Sequence, residues 1–158
     1  MAGVGCLRPE SCDGVDVLIV RENLGGLYQG RWSRTSVTGR GELVEHTLSY
    51  GEEVVKAIVA AGCRAARDRR GEVSVVVKDG GVPGLSALWR RCAGEVADSV
   101  GVRCTFLDVD FAANRLLDRA KPLDVIVAPN MFGDILADLG AHLLGSRALG
   151  YGASFTRD

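Results

Sequence analysis

The sequence predicts a single α/β layered domain, and three observations point there. Compact β-branched runs alternate with longer stretches of helical periodicity, the pattern of strands joined through helices. Its 158 residues match the size of one domain, able to bury roughly 68–70% of the surface that an unfolded chain exposes. Hydrophobic residues make up 47% and charged residues 25%, near the globular average, which excludes a wholly disordered chain.

Residues 1–14, with Gly, Cys and Pro, read as a loose lead-in, which leaves residues 15–158 for the domain. Residues 16–21 (DVLIVR) form a short β-branched run suited to a buried strand. Glu22 to Gly26 is a turn-forming segment. Residues 35–48 are polar and β-prone on either side of Gly39 and Gly41, which predicts a protruding hairpin. Ser49 with Glu52 resembles a capping box. Behind it Val54, Val55, Ile58, Val59 and Ala66 keep helical spacing to an end near Arg70 and Gly71. A second strand over 73–78 (VSVVVK) stops at Asp79-Gly80-Gly81, and Pro83-Gly84 lead into a helix over 85–99. Residues 103–108 and 125–128 supply two more strands. Helices are expected over 111–117 and from Asn130 to about Leu144.

Net charge is −1, which argues against a general nucleic-acid or anionic-membrane binder. Of nineteen basic residues only Lys56, Lys78 and Lys121 are lysine, a bias that reads as codon composition. Five cysteines (Cys6, Cys12, Cys63, Cys92 and Cys104) form no CxxC and no Cys/His cluster, so free thiols in a reducing, cytoplasmic setting are expected. Cys63 and Cys92 read as small buried hydrophobes within helices. The N-terminal stretch has no apolar run of signal-peptide or membrane-span length.

Asp134 and Asp138 lie four residues apart, one turn on one helix face, where two like charges call for a compensating cation or donors. A hard ion such as Mg²⁺ or Mn²⁺ is one solution, and an ordinary solvated face is the other. Asp110 closes a strand as either a third ligand or a helix cap. Lys78 ends its strand at the edge where open α/β sheets place ligands, and an ordinary strand-end lysine fits there equally. Arg21 and Tyr28 flank the Gly25-Gly26 turn. His46 and His142 have no ligand spacing between them.

Read together, these segments resemble one family. Residues 20–30 (VRENLGGLYQG) resemble the VREN-x-x-GLYxG segment of the β-decarboxylating dehydrogenases, the isocitrate and 3-isopropylmalate dehydrogenase family. Residues 124–139 (DVIVAPNMFGDILADL) resemble that family's DVIVTPNLFGDILSDL. Residues 109–116 resemble its VDAAAMQL, and Val77-Lys78 the strand end of its DKAN. Order and spacing agree over about residues 15–153.

The resemblance implies the fold of the family's second domain with its hairpin as an intersubunit clasp. It implies Arg21 and Asn130 as substrate-binding residues, Tyr28 as a proton donor and Lys78 as acid/base partner. Asp110, Asp134 and Asp138 become ligands of Mg²⁺ or Mn²⁺. It further implies a homodimer with a shared site, in which Lys78 and Asp110 come from the neighbouring subunit, and a small-molecule substrate.

The family's Ala-Asn after the lysine is replaced here by Asp79-Gly80. Residues 15–158 do not include the family's dinucleotide-contacting domain, and no GxGxxG stands in for it. NAD is therefore not expected to serve this chain alone. An NAD-independent acid–base enzyme of lyase, isomerase or cyclase type is expected instead, using Tyr28 and Lys78 in enolisation, β-keto decarboxylation, elimination or ring closure in natural-product biosynthesis. One alternative is a subunit or fragment of an NAD-dependent β-decarboxylating dehydrogenase completed by another chain. The other is a non-catalytic dimeric scaffold.

Overall fold

The computed structural model describes residues 13–120, 122–143 and 152–155. Four parallel strands make the central sheet: β1 (Leu18–Arg21), β4 (Glu72–Val77), β5 (Arg103–Asp108) and β6 (Val125–Ala128). Their order is β1-β6-β4-β5. Helices α1 (Glu52–Arg67), α2 (Pro83–Val100), α3 (Val109–Arg119) and α4 (Asn130–Leu143) connect and cover it. Strands β2 (Trp32–Val37) and β3 (Gly41–His46) form a separate antiparallel hairpin. The single α/β domain with a protruding hairpin is thus observed. The lead-in, except residues 13 and 14, lies outside the described residues, as does Leu144.

The central strands β4 and β6 are largely apolar because helices cover both faces. Val73, Val75, Val77, Val125 and Val127 point to one core, with Val55, Val59, Trp89 and Ala93 from α1 and α2. Val76, Ile126 and Ala128 point to the other, with Ala112, Leu116 and Leu136 from α3 and α4. Gly62 brings α1 close to the sheet, since a Cβ there would collide with the Val127 side chain. Cys63 and Cys92 are buried in these helices, as their positions predict. None of the described helices is long and apolar enough to cross a membrane.

The hairpin turns through Gly39 and Gly41, both at positive φ (76° and 85°), which a side chain would strain. Val37 is half-buried and every other residue of its strands is exposed.

At the end where the strands begin, Asp124 is 1% exposed. It accepts hydrogen bonds from Arg69 Nε at 2.7 Å and from the Arg70 backbone N–H at 2.9 Å. Arg69 also pairs with Asp16 at 2.8 Å. Burial alone would raise the Asp124 carboxyl, but Arg69 and the Arg70 and Glu72 amides outweigh it and hold it below the usual range.

Two local expectations are corrected. Gly51, not Ser49, occupies the N-cap of α1, and no side chain caps it. Glu52 is the first helical residue, so its carboxylate cannot reach back. It pairs outward with Lys56 at 2.6 Å and Arg91 at 2.8 Å. The cap position of α3 falls on Asp108 rather than Asp110. Helix ends shift by a few residues; α1 stops at Arg67 and α3 runs from Val109 to Arg119.

Candidate active site

The strands finish at the opposite end of the sheet, the edge where open α/β folds bind ligands. Arg21 ends β1 beside Ala128 of β6. The first turn of α4 therefore stands next to it. Arg21 packs against Gly133, where a Cβ would sit 2.8 Å from its Cγ. The glycine of the NMFGD segment is thus explained by the arginine it accommodates.

Three side chains converge on this guanidinium. Asn130 Oδ1 accepts from Arg21 Nε at 3.0 Å and from Nη2 at 2.9 Å. Arg21 Nη1 donates to Asp134 Oδ1 in an ion pair. Tyr28, carried on a short 3-10 turn (Leu27–Gln29), donates to the other oxygen, Asp134 Oδ2, at 3.1 Å. The Arg21 guanidinium carbon also lies 5.7 Å from the centre of the Tyr28 ring. The bond to Asp134 holds the Tyr28 phenol above its ordinary pKa.

Asn130, expected at a substrate contact, has its side chain engaged within the chain. It is 1% exposed, its Oδ1 takes two Arg21 donors, and its Nδ2 donates to the Gly25 carbonyl at 2.9 Å. That amide acts on Arg21 and the Gly25-Gly26 turn and offers no open face to a ligand.

Lys78 follows β4, its backbone N–H donating to the buried Ser86 Oγ at 3.1 Å. Its Nζ donates to Asp110 Oδ1 at 2.7 Å and lies 3.6 Å from Asp108 Oδ2. Asp110 raises the lysine pKa, and the lysine in turn lowers that of Asp110. Asp79, the departure from the family pattern, is clamped by Arg90 at 3.2 and 2.5 Å and lowered by it. Arg90 stacks on Phe106 at 4.7 Å. An apolar pocket lies beside Lys78, lined by Leu27, Val82, Leu85, Trp89 and Phe132 among others.

The sequence-predicted residues therefore fall into two groups, Arg21, Tyr28, Asn130 and Asp134 in one, Lys78 and Asp110 in the other. Asp138 lies one helical turn beyond Asp134, half-buried. Among the described residues no three acidic, His or Cys side chains stand close enough to hold a metal ion. Asp110, Asp134 and Asp138 hence do not converge within one chain, because Asp110 is drawn to Lys78. Their donor chemistry still fits a hard divalent ion: each is an oxygen-only ligand, and Asp134 keeps further lone pairs beside its two hydrogen bonds.

Sequence reasoning overlooked Tyr50, whose hydroxyl accepts the Asn130 backbone N–H at 2.7 Å. It also overlooked Glu22, buried and accepting the Leu24 and Gly25 backbone N–H groups, and Asp108. The adjacent glycines 25 and 26 were the available signal for Tyr50, since side chains there would strike its ring and hydroxyl.

A sequence model described as isocitrate/isopropylmalate dehydrogenase matches residues 3–157. The chain belongs to the isocitrate/isopropylmalate dehydrogenase family. It is 44% identical over 149 residues to the 3-isopropylmalate dehydrogenase of Xylella fastidiosa (strain 9a5c), covering 92% of this chain and 41% of that protein. It is 40% identical over 159 residues to that of Priestia megaterium, covering 100% of this chain and 43% of that protein. The solved isocitrate dehydrogenase from Methylococcus capsulatus superposes with a TM-score of 0.77 at 28% identity, over 84% of this chain and 40% of that one. The chain spans about two fifths of the length of the curated relatives it matches.

Membership places the chain in a family of enzymes and overturns the expected NAD-independent lyase, isomerase or cyclase. The relatives at 40–44% identity are named dehydrogenases, and nothing in the match points to another reaction class.

Proposed function

We propose that residues 15–158 form the catalytic and dimer-forming part of a β-decarboxylating dehydrogenase of the 3-isopropylmalate dehydrogenase type, completed by a dinucleotide-binding part outside these residues. The observation that carries this reading is the continuous Arg21–Asp134–Tyr28 contact at the ligand-binding end of the sheet. Arg21 presents a fixed, permanently charged guanidinium suited to a substrate carboxylate. Tyr28, half-exposed and holding its proton against Asp134, is placed to deliver that proton to a substrate carbanion. Lys78, proton-loaded by Asp110, is the second proton-handling group.

Two copies of the chain build one complete site in this reading, with Asp134 and Asp138 of one copy and Lys78 and Asp110 of the other. Those three aspartates would hold Mg²⁺ or Mn²⁺, which supplies polarisation of a substrate oxygen when bound. A nicotinamide dinucleotide supplies hydride acceptance, and none of the described residues is assigned to it. The exposed hairpin, with Trp32, Leu43 and Val44 open on its surface, is the clasp between copies. A cytoplasmic setting accords with the free Cys63, Cys92 and Cys104.

The test is Mn²⁺ titration by calorimetry on Asp110→Ala, Asp134→Ala and an equimolar mixture of the two, refolded together. A site shared across a twofold axis gives no binding by either variant and about a quarter of the parent's sites in the mixture. A mixture as inert as its components, or a chain that sediments as a monomer, sinks the reading.

A further inference from the structure

We propose that Tyr50 is a positioning residue for Arg21, acting through the first turn of α4; its functional meaning rests on the carboxylate-binding role given to Arg21 above. Tyr50 lies between the hairpin and α1, and its ring meets Trp89 edge-on, with centroids 5.3 Å apart at 90°. The turn opposite is built around it. A Cβ on Gly25 would stand 2.7 Å from the Tyr50 ring, and one on Gly26 would fall on its hydroxyl.

The hydroxyl delivered by this packing accepts the Asn130 backbone N–H at 2.7 Å. That N–H belongs to the first turn of α4, where no helical carbonyl is available to take it. Asn130 is 1% exposed, so no water replaces the acceptor readily. Burial pushes the Tyr50 phenol up to about 12, so the hydroxyl stays neutral across the working range. From this anchored residue, Asn130 Oδ1 fixes two of the three guanidinium nitrogens of Arg21, and Nδ2 fixes the Gly25 carbonyl. Without the Tyr50 oxygen, a buried N–H is orphaned and the helix start is free to shift. Arg21 is then left with Asp134 as its remaining side-chain hydrogen-bond acceptor.

The experiment follows hydrogen exchange of the Arg21 Nε–H by NMR in the full chain and in Tyr50→Phe, which keeps the ring and removes one oxygen. Exchange is expected to accelerate about threefold to tenfold, the equilibrium weight of one hydrogen bond. The Asn130 amide resonance moves with it, while core amides such as Val75 keep the parent's rates. An Arg21 rate within about twofold of the parent overturns the proposal. So does an equal acceleration throughout the core, which would make Tyr50 a packing residue only. Should Tyr50→Phe not fold, 3-fluorotyrosine placed at position 50 keeps shape and hydroxyl but weakens the acceptor. The same two resonances must then move, and their standing still overturns the link. Titration of the parent chain with malate tests the reading beneath it. A malate-silent Arg21 resonance removes the substrate role of Arg21, and exchange alone still judges its dependence on Tyr50.

Discussion

The two ends of the four-stranded sheet carry charge in opposite ways. Where the strands begin, Asp124 is 1% exposed and held by Arg69 and by backbone amides, with Asp16 beyond them. Where the strands finish, the side chains of Asp134 and Asp110 remain 41% and 70% exposed, although each is paired with a cation. Asp124 is closed against a cation and backbone amides, whereas Asp134 and Asp110 leave carboxylate oxygens facing outward. The contrast separates a carboxylate that holds the sheet from carboxylates that stay open to solvent.

The sharpest way to break the comparison is to exchange the consequences of substitution at the two ends. Asp134→Ala is expected to weaken Mn²⁺ binding at least about a hundredfold while moving the melting temperature by no more than about 2 °C. Calorimetry and thermal unfolding on the same sample check both. Asp124→Asn is expected to do the reverse. It breaks the hydrogen-bonded pairing of a buried carboxylate at a cost of about 2–4 kcal/mol, or roughly 5–15 °C, with Mn²⁺ affinity unchanged within about threefold. A loss of metal binding in Asp124→Asn would show that the two ends are not independent.

Acid sharpens the contrast further and is the smallest effect. The folded pKa of Asp124 lies below its ordinary 3.8. Its contribution is therefore present above pH 3.8 and lost as pH falls through the folded value. Urea midpoints measured from pH 5 downward should fall less steeply for Asp124→Asn than for the parent. Asp110 is also lowered, by Lys78, but lies in solvent. Asp110→Asn should thus follow the parent's acid slope.

The sequence alone made the sheet legible because β4 and β6 are buried on both faces and a doubly buried strand is largely apolar, Ser74 of β4 being satisfied by Thr105. The NMFGD segment was legible through its resemblance to the family's NLFGD, and the structure adds that Gly133 and Asp134 both meet Arg21. Tyr50 was not, because it meets Asn130 across 80 residues, and its sequence neighbours carry no trace of the partner. The internal bonds of Asn130 were not legible, because an exposed amide and a buried, saturated one look alike in sequence. Asp110 was grouped with Asp134 and Asp138 through the resemblance, which also pairs it with Lys78 on one subunit, and within the chain it does lie against Lys78. Ser49 failed as a cap because the helix begins at Glu52, which has two cations of its own.

The position of β1 has a consequence for how the chain acquires its binding end. β4 and β5 join residues 31 apart, whereas Arg21 reaches Asn130 across 109. Closing the longer loop costs about 1 kcal/mol more in chain entropy, and β1, at the sheet edge, pairs only with β6 among the described residues. Tyr28 reaches Asp134 across 106 residues and Asn130 reaches the Gly25 carbonyl across 105, so the contacts of this cluster share one long closure. The cluster thus hangs on the docking of a single edge strand: losing the β1–β6 pairing would remove its Arg21 and Tyr28 contacts together.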